Sequence, residues 1–205
     1  EDVAALEVKE LIGSNPKINE TCIVFDIKNY NDLFKLCYKS QSAIGIYYLL
    51  CELNYNDVFN DFKKNIVKIK FNEWLDKKTT FRVKCVKNCD NTISTSAIEK
   101  KLGESIISHI KEKYGYEQKV NLDNPDIIIF IYLLQNKCYV GIDFAGFDLS
   151  KRSYKILNHP ADVRGTIGYF LVRLSKYNKN ETLIDPFSGS GTIPIEAALF
   201  ASPFP

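Results

Sequence analysis

The stretch Thr182-Leu183-Ile184-Asp185-Pro186-Phe187-Ser188-Gly189-Ser190-Gly191-Thr192-Ile193-Pro194-Ile195-Glu196-Ala197-Ala198-Leu199-Phe200 decides the fold class. The apolar run at 182–184 reads as a strand, 185–192 as a glycine-rich turn and 193–200 as a helix. Strand, turn and helix in this order make the βα unit of an α/β domain, in which backbone approaches a ligand closely and free helix N–H groups point at it. Pro186 stiffens the exit from the strand. Ser188 and Ser190 keep side chains small around the two glycines. Thr192 is placed to cap a helix starting near Ile193, and Pro194 is tolerated in a first turn.

Three glycine-rich motifs compete for this loop. A phosphate-binding P-loop requires G-x-x-x-x-G-K-[ST], and no Lys follows Gly189 or Gly191, so that reading fails. A dinucleotide fingerprint requires G-x-G-x-x-G, and Pro194 occupies the third glycine position, leaving a partial match. The third is an S-adenosylmethionine loop, in which the strand-end acid and the glycine turn cradle the methionine part and the adenosine.

Working outward, the chain has 205 residues, 45% of them apolar, and a net charge of +2. This mildly basic balance allows a nucleic-acid partner without demanding one. Six cysteines (Cys22, Cys37, Cys51, Cys85, Cys89, Cys138) form no CxxC pair, and no nearby His completes a zinc set with Cys85 and Cys89. Reduced cysteines in a cytoplasmic protein are expected, with no metal site. No signal peptide and no bilayer-spanning apolar run is visible, so no membrane partner is expected. Methionine is absent even at position 1, and the expectation is a piece of a longer chain.

Pattern and punctuation predict helices over Val3–Ile12 behind an Asp2 cap, Asn29–Tyr38 with Leu33, Phe34 and Cys37 inward, and Val58–Val67 with Phe59, Phe62 and Ile66 inward. Strands are predicted over Thr21–Ile27, Ala43–Leu53 and the alternating Thr80–Val86. A long helix from about Ser94 to Tyr114 has Ile98, Leu102, Ile106 and Ile110 on one face and stops at Gly115. Ile127–Leu134 and Lys137–Phe144 read as a hairpin turning at Gln135-Asn136. Ser150–Tyr154 reads as an exposed linker, and Ala161–Lys176 as a helix with Val163, Ile167, Phe170, Leu171 and Leu174 inward.

The strings DPFSGSGTIPIEAA, NEWLDKKTTFRVKC from residue 72, KEKYG at 111–115, DNPDIIIFIYL from 123, CYVGIDFAGFDLSKRSY from 138 and HPADVRGTIGYFL from 159 together resemble THUMP-bearing class I RNA methyltransferases of the guanine-N2 type acting on tRNA or large-subunit rRNA. The resemblance covers nearly the whole chain. It implies an α/β fold with an α+β N-terminal part. Residues 1–70 would form a ferredoxin-like domain, 71–149 THUMP, 150–160 a linker, and 161–205 the start of a Rossmann-like methyltransferase domain. The family usually has Gly where Ser153 stands and Cys where Ser188 stands. Neither is the attacking group in this chemistry.

The implied cofactor is S-adenosylmethionine, held by Asp185, Pro186, Phe187, Ser188, Gly189, Ser190, Gly191 and Thr192. His159 and Arg164 would lie beside it. The family's Asn/Asp-Pro-Pro-aromatic catalytic loop does not occur, so no catalytic residue is named. RNA would be gripped by Arg82, Lys84, Lys87, Lys100, Lys101, Lys151 and Arg152, with Lys111, Lys113 and Lys155 as further candidates. Phosphate contacts of this kind give salt-dependent affinity with little sequence information. Three other readings stand beside this one. An enzyme of 23S rRNA is one, and a non-catalytic RNA-binding module is another. A tRNA thiolation enzyme would need an SGGxDS loop, which 185–192 does not match.

Overall fold

A computed structural model of the chain describes residues 1–54, 58–90, 93–135, 137–156 and 162–202. In chain order the elements are α1 (Asp2–Ile12), β1 (Lys17–Ile18), β2 (Ile23–Val24), α2 (Tyr30–Lys39), β3 (Tyr47–Asn54) and α3 (Val58–Ile66). There follow β4 (Thr80–Lys87), α4 (Thr95–Tyr114), β5 (Lys119–Val120), β6 (Ile127–Leu133), β7 (Lys137–Asp143), α5 (Gly165–Leu174) and α6 (Thr192–Ala201). They divide into two compact units, one of residues 1–46 with 147–205 and the other of residues 47–146.

The 47–146 unit is a five-stranded mixed sheet in the order β3-β7-β6-β4-β5. β4 runs parallel to both β5 and β6, while β7 is antiparallel to β6 and β3. Because β3 pairs with β7 from Tyr47 to Asn54, the expected boundary between residues 70 and 71 falls inside this unit. On β4 the inward residues Phe81, Val83 and Cys85 alternate with Arg82, Lys84 and Val86, as a strand covered on one face must. The cover is α4, whose Ile98, Leu102, Ile106 and Ile110 recur every fourth residue and are all buried. Ser94 caps α4 by accepting the Ala97 N–H at 3.2 Å, and the helix ends at Gly115. Val58, Phe62 and Ile66 of α3 join the same core. Glu99 of α4 accepts the Cys85 N–H at 2.7 Å, so a helix side chain satisfies a strand amide. Cys51, Cys85 and Cys138 are among the free thiols, and burial pushes Cys51 up to about 11 and Cys85 up to about 12.

The unit of residues 1–46 and 147–205 is mostly helical, with β1 and β2 as a two-stranded antiparallel ribbon. α1 ends at Gly13 as expected, but Glu1, not Asp2, precedes it, and no side chain caps it. α2 begins after Asn29, whose side chain accepts the Asn31 N–H at 2.9 Å. It buries Leu33 and Leu36, while Phe34 faces solvent, so the buried stripe is turned from the expected one. Glu7 of α1 is buried and organises the turn after α2: it accepts from the Ser40 hydroxyl at 2.6 Å, the Gln41 N–H at 2.7 Å, and both the N–H and hydroxyl of Ser42.

α5 departs from its prediction. It begins at Gly165 and buries Gly165, Thr166, Gly168, Tyr169 and Val172, whereas Ile167, Leu171 and Leu174 are exposed. The cause is close approach to α6. A Cβ on Gly168 would lie 3.1 Å from Thr192 Cγ2, so the helices meet across the glycine face. Arg173 lies over the Tyr169 and Phe200 rings and makes a bidentate pair with Glu10 of α1, both contacts at 2.7 Å. Thr182–Ile184 is not a strand, and Ile184 is 81% exposed. A strand needs a neighbouring backbone to pair with, and among the described residues none pairs with this segment.

Candidate functional site

The glycine turn at 185–192 does form, directly before α6. Asp185 Oδ1 accepts the Phe187 N–H at 3.3 Å, which folds the carboxylate over the start of the turn. The Gly191 N–H donates to the Ser188 carbonyl at 2.7 Å and closes it. Gly189 has φ 53° and Gly191 φ 76°, both left-handed conformations that favour glycine. A Cβ on Gly189 would meet nothing within 4 Å, so one side of the turn is open. Phe187 stands 94% exposed beside it. Thr192 is the first residue of α6 and does not cap it. Its hydroxyl lies 3.3 Å from the Val163 carbonyl, to which it donates, and 3.2 Å from the Ser190 hydroxyl. Gly191 precedes the helix with no side-chain cap. The Thr192 and Ile193 N–H groups at the start of α6 therefore have neither an intrahelical acceptor nor a capping side chain, while Pro194 has no N–H and the Ile195 N–H donates to the Gly191 carbonyl; two such donors suit a negatively charged or polar ligand group.

Behind this turn lies a buried ionic cluster that the sequence reading missed. Glu196 of α6 is fully buried, and Arg152 is only 12% exposed. Arg152 Nε donates to Glu196 Oε1 at 2.8 Å and Nη2 to Oε2 at 3.2 Å. The Tyr154 hydroxyl donates to Oε1 at 2.7 Å, and Gln41 Nε2 to Oε2 at 2.7 Å and to the Glu196 carbonyl at 3.0 Å. Arg152 also donates to the carbonyls of Leu149 and Gln41. Burial and the hydrogen bond to Glu196 push the Tyr154 hydroxyl well above its ordinary pKa. Arg152, expected to face RNA from a linker, is engaged on all these acceptors and is withdrawn as a phosphate ligand. The available signal was Glu196 itself, a lone acid in the apolar run 193–200.

Apart from Lys151 and Lys155, the remaining expected RNA contacts lie in the 47–146 unit, on two faces of it. Lys84 is exposed and Arg82 half-buried on the sheet face opposite α4, where Arg82 Nη1 donates to the Leu122 carbonyl at 2.7 Å. Register sets Lys84 beside Phe130 and Val86 beside Tyr132, and Tyr47 stacks on Phe130 at 4.0 Å, so one cation lies beside a stacked aromatic pair there. Lys100 and Lys101 are exposed on α4, with Lys101 Nζ 4.4 Å from the Phe59 ring centroid. Lys87 Nζ lies 3.5 Å from the Ile93 carbonyl. Lys111 and Lys113 are exposed near the end of α4.

In the 1–46 and 147–205 unit, Lys151 is exposed and lines a cavity of about 480 Å³ with Asp148, Lys155, Asp162 and Arg164. Arg164 immediately precedes α5, and Lys155 Nζ donates to the Val163 carbonyl. His159 lies outside the described residues. Among the described residues no helix is long and apolar enough to cross a membrane.

Residues 56–143 match the THUMP domain, and residues 152–205 match the RMKL-like methyltransferase domain. The chain thus carries a match to each of these two domains in turn. It is 35% identical over 151 residues to the tRNA (guanine(6)-N2)-methyltransferase of Methanocaldococcus jannaschii, a match covering 73% of this chain and 40% of that protein. It is 33% identical over 144 residues to the ribosomal RNA large subunit methyltransferase K/L of Buchnera aphidicola subsp. Schizaphis graminum, covering 70% of this chain and 20% of the relative. A solved structure of a protein named only as a candidate methyltransferase, complexed with SAH, superimposes with a TM-score of 0.80 at 21% identity, over 98% of this chain and 52% of that one. This THUMP–methyltransferase chain thus spans two-fifths or less of the length of these curated relatives. The structural likeness supports the α/β fold class.

Proposed function

We propose that the chain supplies the RNA grip and the cofactor floor of an S-adenosylmethionine-dependent RNA methyltransferase acting on the exocyclic N2 of guanosine, with tRNA as substrate in the cytoplasm. The observation that carries this reading is the open glycine turn of Gly189 and Gly191 at the uncapped start of α6, in a chain that also carries a THUMP domain.

The residues present fit the cofactor. Gly189 leaves space on one side of the turn, Asp185 offers a carboxylate to hydroxyl or ammonium donors, and the N–H groups of Thr192 and Ile193 offer donors to a carboxylate. Phe187, Ser188 and Ser190 line the turn, Pro186 stiffens it, and Thr192 ties it to Val163. When bound, the cofactor supplies a methyl group already activated on its sulfonium. The protein's contribution is orientation: the turn holds its ligand at a fixed place relative to α6.

Lys84 beside the Phe130 ring and Arg82 on the same strand, with Lys87, Lys100, Lys101 and Lys151, would hold RNA by phosphate contact and shape. The tRNA assignment is favoured over rRNA by the identity to the archaeal tRNA enzyme, 35% against 33% for the rRNA relative.

Calorimetric titration of S-adenosylmethionine into the intact protein tests the cofactor, with a Gly189→Val, Gly191→Val double variant alongside. Binding lost in the variant is expected, and no binding by the unaltered protein would sink the reading. Incorporation of labelled methyl into tRNA against 23S rRNA then tests the acceptor.

A further inference from the structure

We infer that Glu196 is the positioning residue of the cofactor loop, holding the glycine turn in place through Arg152, Tyr154 and Gln41. The inference rests on the reading of 185–192 as a cofactor site. Glu196 lies one turn into α6, so the backbone carrying Gly191 and Thr192 is fixed once Glu196 is fixed. Its two oxygens accept four hydrogen bonds, from Arg152 Nε, Arg152 Nη2, the Tyr154 hydroxyl and Gln41 Nε2.

The donors come from two other stretches of chain, 41 and 152–154. Gln41 is itself held, because Glu7 accepts from its N–H and from Ser40 and Ser42 on either side. A relay of two buried carboxylates therefore runs from α1 through the turn at 40–42 to α6. Gly165 completes the seat: a Cβ there would lie 2.6 Å from Arg152 Cγ and Nε and 2.7 Å from Glu196 Oε1.

Packing alone does not call for this arrangement. The neighbours of Glu196 on α6 are apolar, and an apolar side chain would avoid the desolvation of two charges. What an ion pair with four directed bonds adds is one defined orientation. That orientation places the α6 N-terminus, and with it the turn whose open side faces the ligand.

Two variants of the intact protein test this. Arg152→Leu with Glu196→Leu removes both charges together, and Tyr154→Phe removes one donor while leaving the ion pair. The first readout is hydrogen exchange of the 189–195 amides without ligand, and the second is titration of S-adenosylhomocysteine. In the double variant we expect global melting close to the unaltered protein, loop amides exchanging about tenfold faster, and affinity weakened about tenfold, equivalent to about 1.4 kcal/mol. Tyr154→Phe is expected to shift both readouts the same way by about threefold, and it decides the matter if the double variant does not fold. Unchanged exchange with unchanged affinity in a folded variant overturns the positioning role while the cofactor reading stands. Faster loop exchange in a protein that never bound the ligand supports the anchoring and removes the cofactor reading.

Discussion

Gly165→Ala places a methyl group where there is no room for one. The added carbon would sit 2.6 Å from Arg152 Cγ and Nε and 2.7 Å from Glu196 Oε1, about 1 Å inside ordinary contact. Overpacking of this size costs about 1–3 kcal/mol. The side chain that must yield is Arg152, and pulling it from a fully buried Glu196 adds part of the roughly 3–5 kcal/mol cost of breaking a buried pair. Against this, Ala is favoured over Gly in a helix interior by about 1 kcal/mol, and by less at the first helical position. The net expectation is a loss of about 2 kcal/mol, roughly thirtyfold in the opening constant of α5.

Two other glycines calibrate the measurement. A Cβ on Gly103 would meet Val83 Cγ2 at 3.7 Å, an ordinary contact, so Gly103→Ala should stabilise α4 by about 1 kcal/mol. At Gly168 the nearest atoms are 3.1 and 3.4 Å away, and a modest clash offsets the same gain, so about zero is expected. Native-state hydrogen exchange in low urea reads each helix separately, at Tyr169 and Val172 for α5 and at Ile106 and Ile110 for α4. If Gly165→Ala protected α5 as Gly103→Ala protects α4, the tight seat around Arg152 and Glu196 would be refuted.

Burial raises Cys51 to about 11 and Cys85 to about 12, which leaves at pH 8 only about one thiolate in a thousand and one in ten thousand. Both should resist iodoacetamide until the protein is unfolded, and mass spectrometry showing equal labelling in native and urea-treated samples would contradict their place in the core. Asp126 is held below the usual carboxylate range by the N–H of Thr80 and then by the Thr80 hydroxyl. Its stabilising effect is therefore full above about pH 4, the unfolded value, and is lost as pH falls through the lower folded value. Asp126→Asn should flatten the acid decline of stability in urea titrations across that window, and an unchanged decline would exclude the contact. Ser94→Ala removes the α4 cap and should cost about 1 kcal/mol, read as faster exchange in the first turns of α4.

Where local chemistry decides an element, the sequence reading and the structure agree. α4 carries its own start at Ser94, its own stop at Gly115 and a four-residue apolar period, and all three are visible within twenty-two residues. β4 is legible for the same reason, since its alternation follows from having one covered face. In α5 apolar periodicity picks out Ile167, Leu171 and Leu174, all three of which are exposed. The face that packs is instead defined by two glycines, whose value is the space they leave for Thr192 and for the Arg152–Glu196 pair. Absence of a side chain has no hydrophobic signature, so a periodicity count overlooks it.

The same distinction separates the two halves of the site. The glycine turn is written in contiguous residues, and its form is legible in them. Its anchor is not: Arg152 meets Glu196 across 44 residues and Gln41 across 111. Within the string SKRSY, Arg152 looks like any surface cation, and only the partner tells it apart from Lys151, which remains exposed. A buried acid inside an apolar helix was the one local clue, because such a charge must find a counter-charge somewhere in the fold. The acid at 196 within the apolar run 193–200 thus calls for a buried cation, and Arg152 answers it. Mild overall basicity gives no such discrimination, since it counts Arg152 and Lys151 alike.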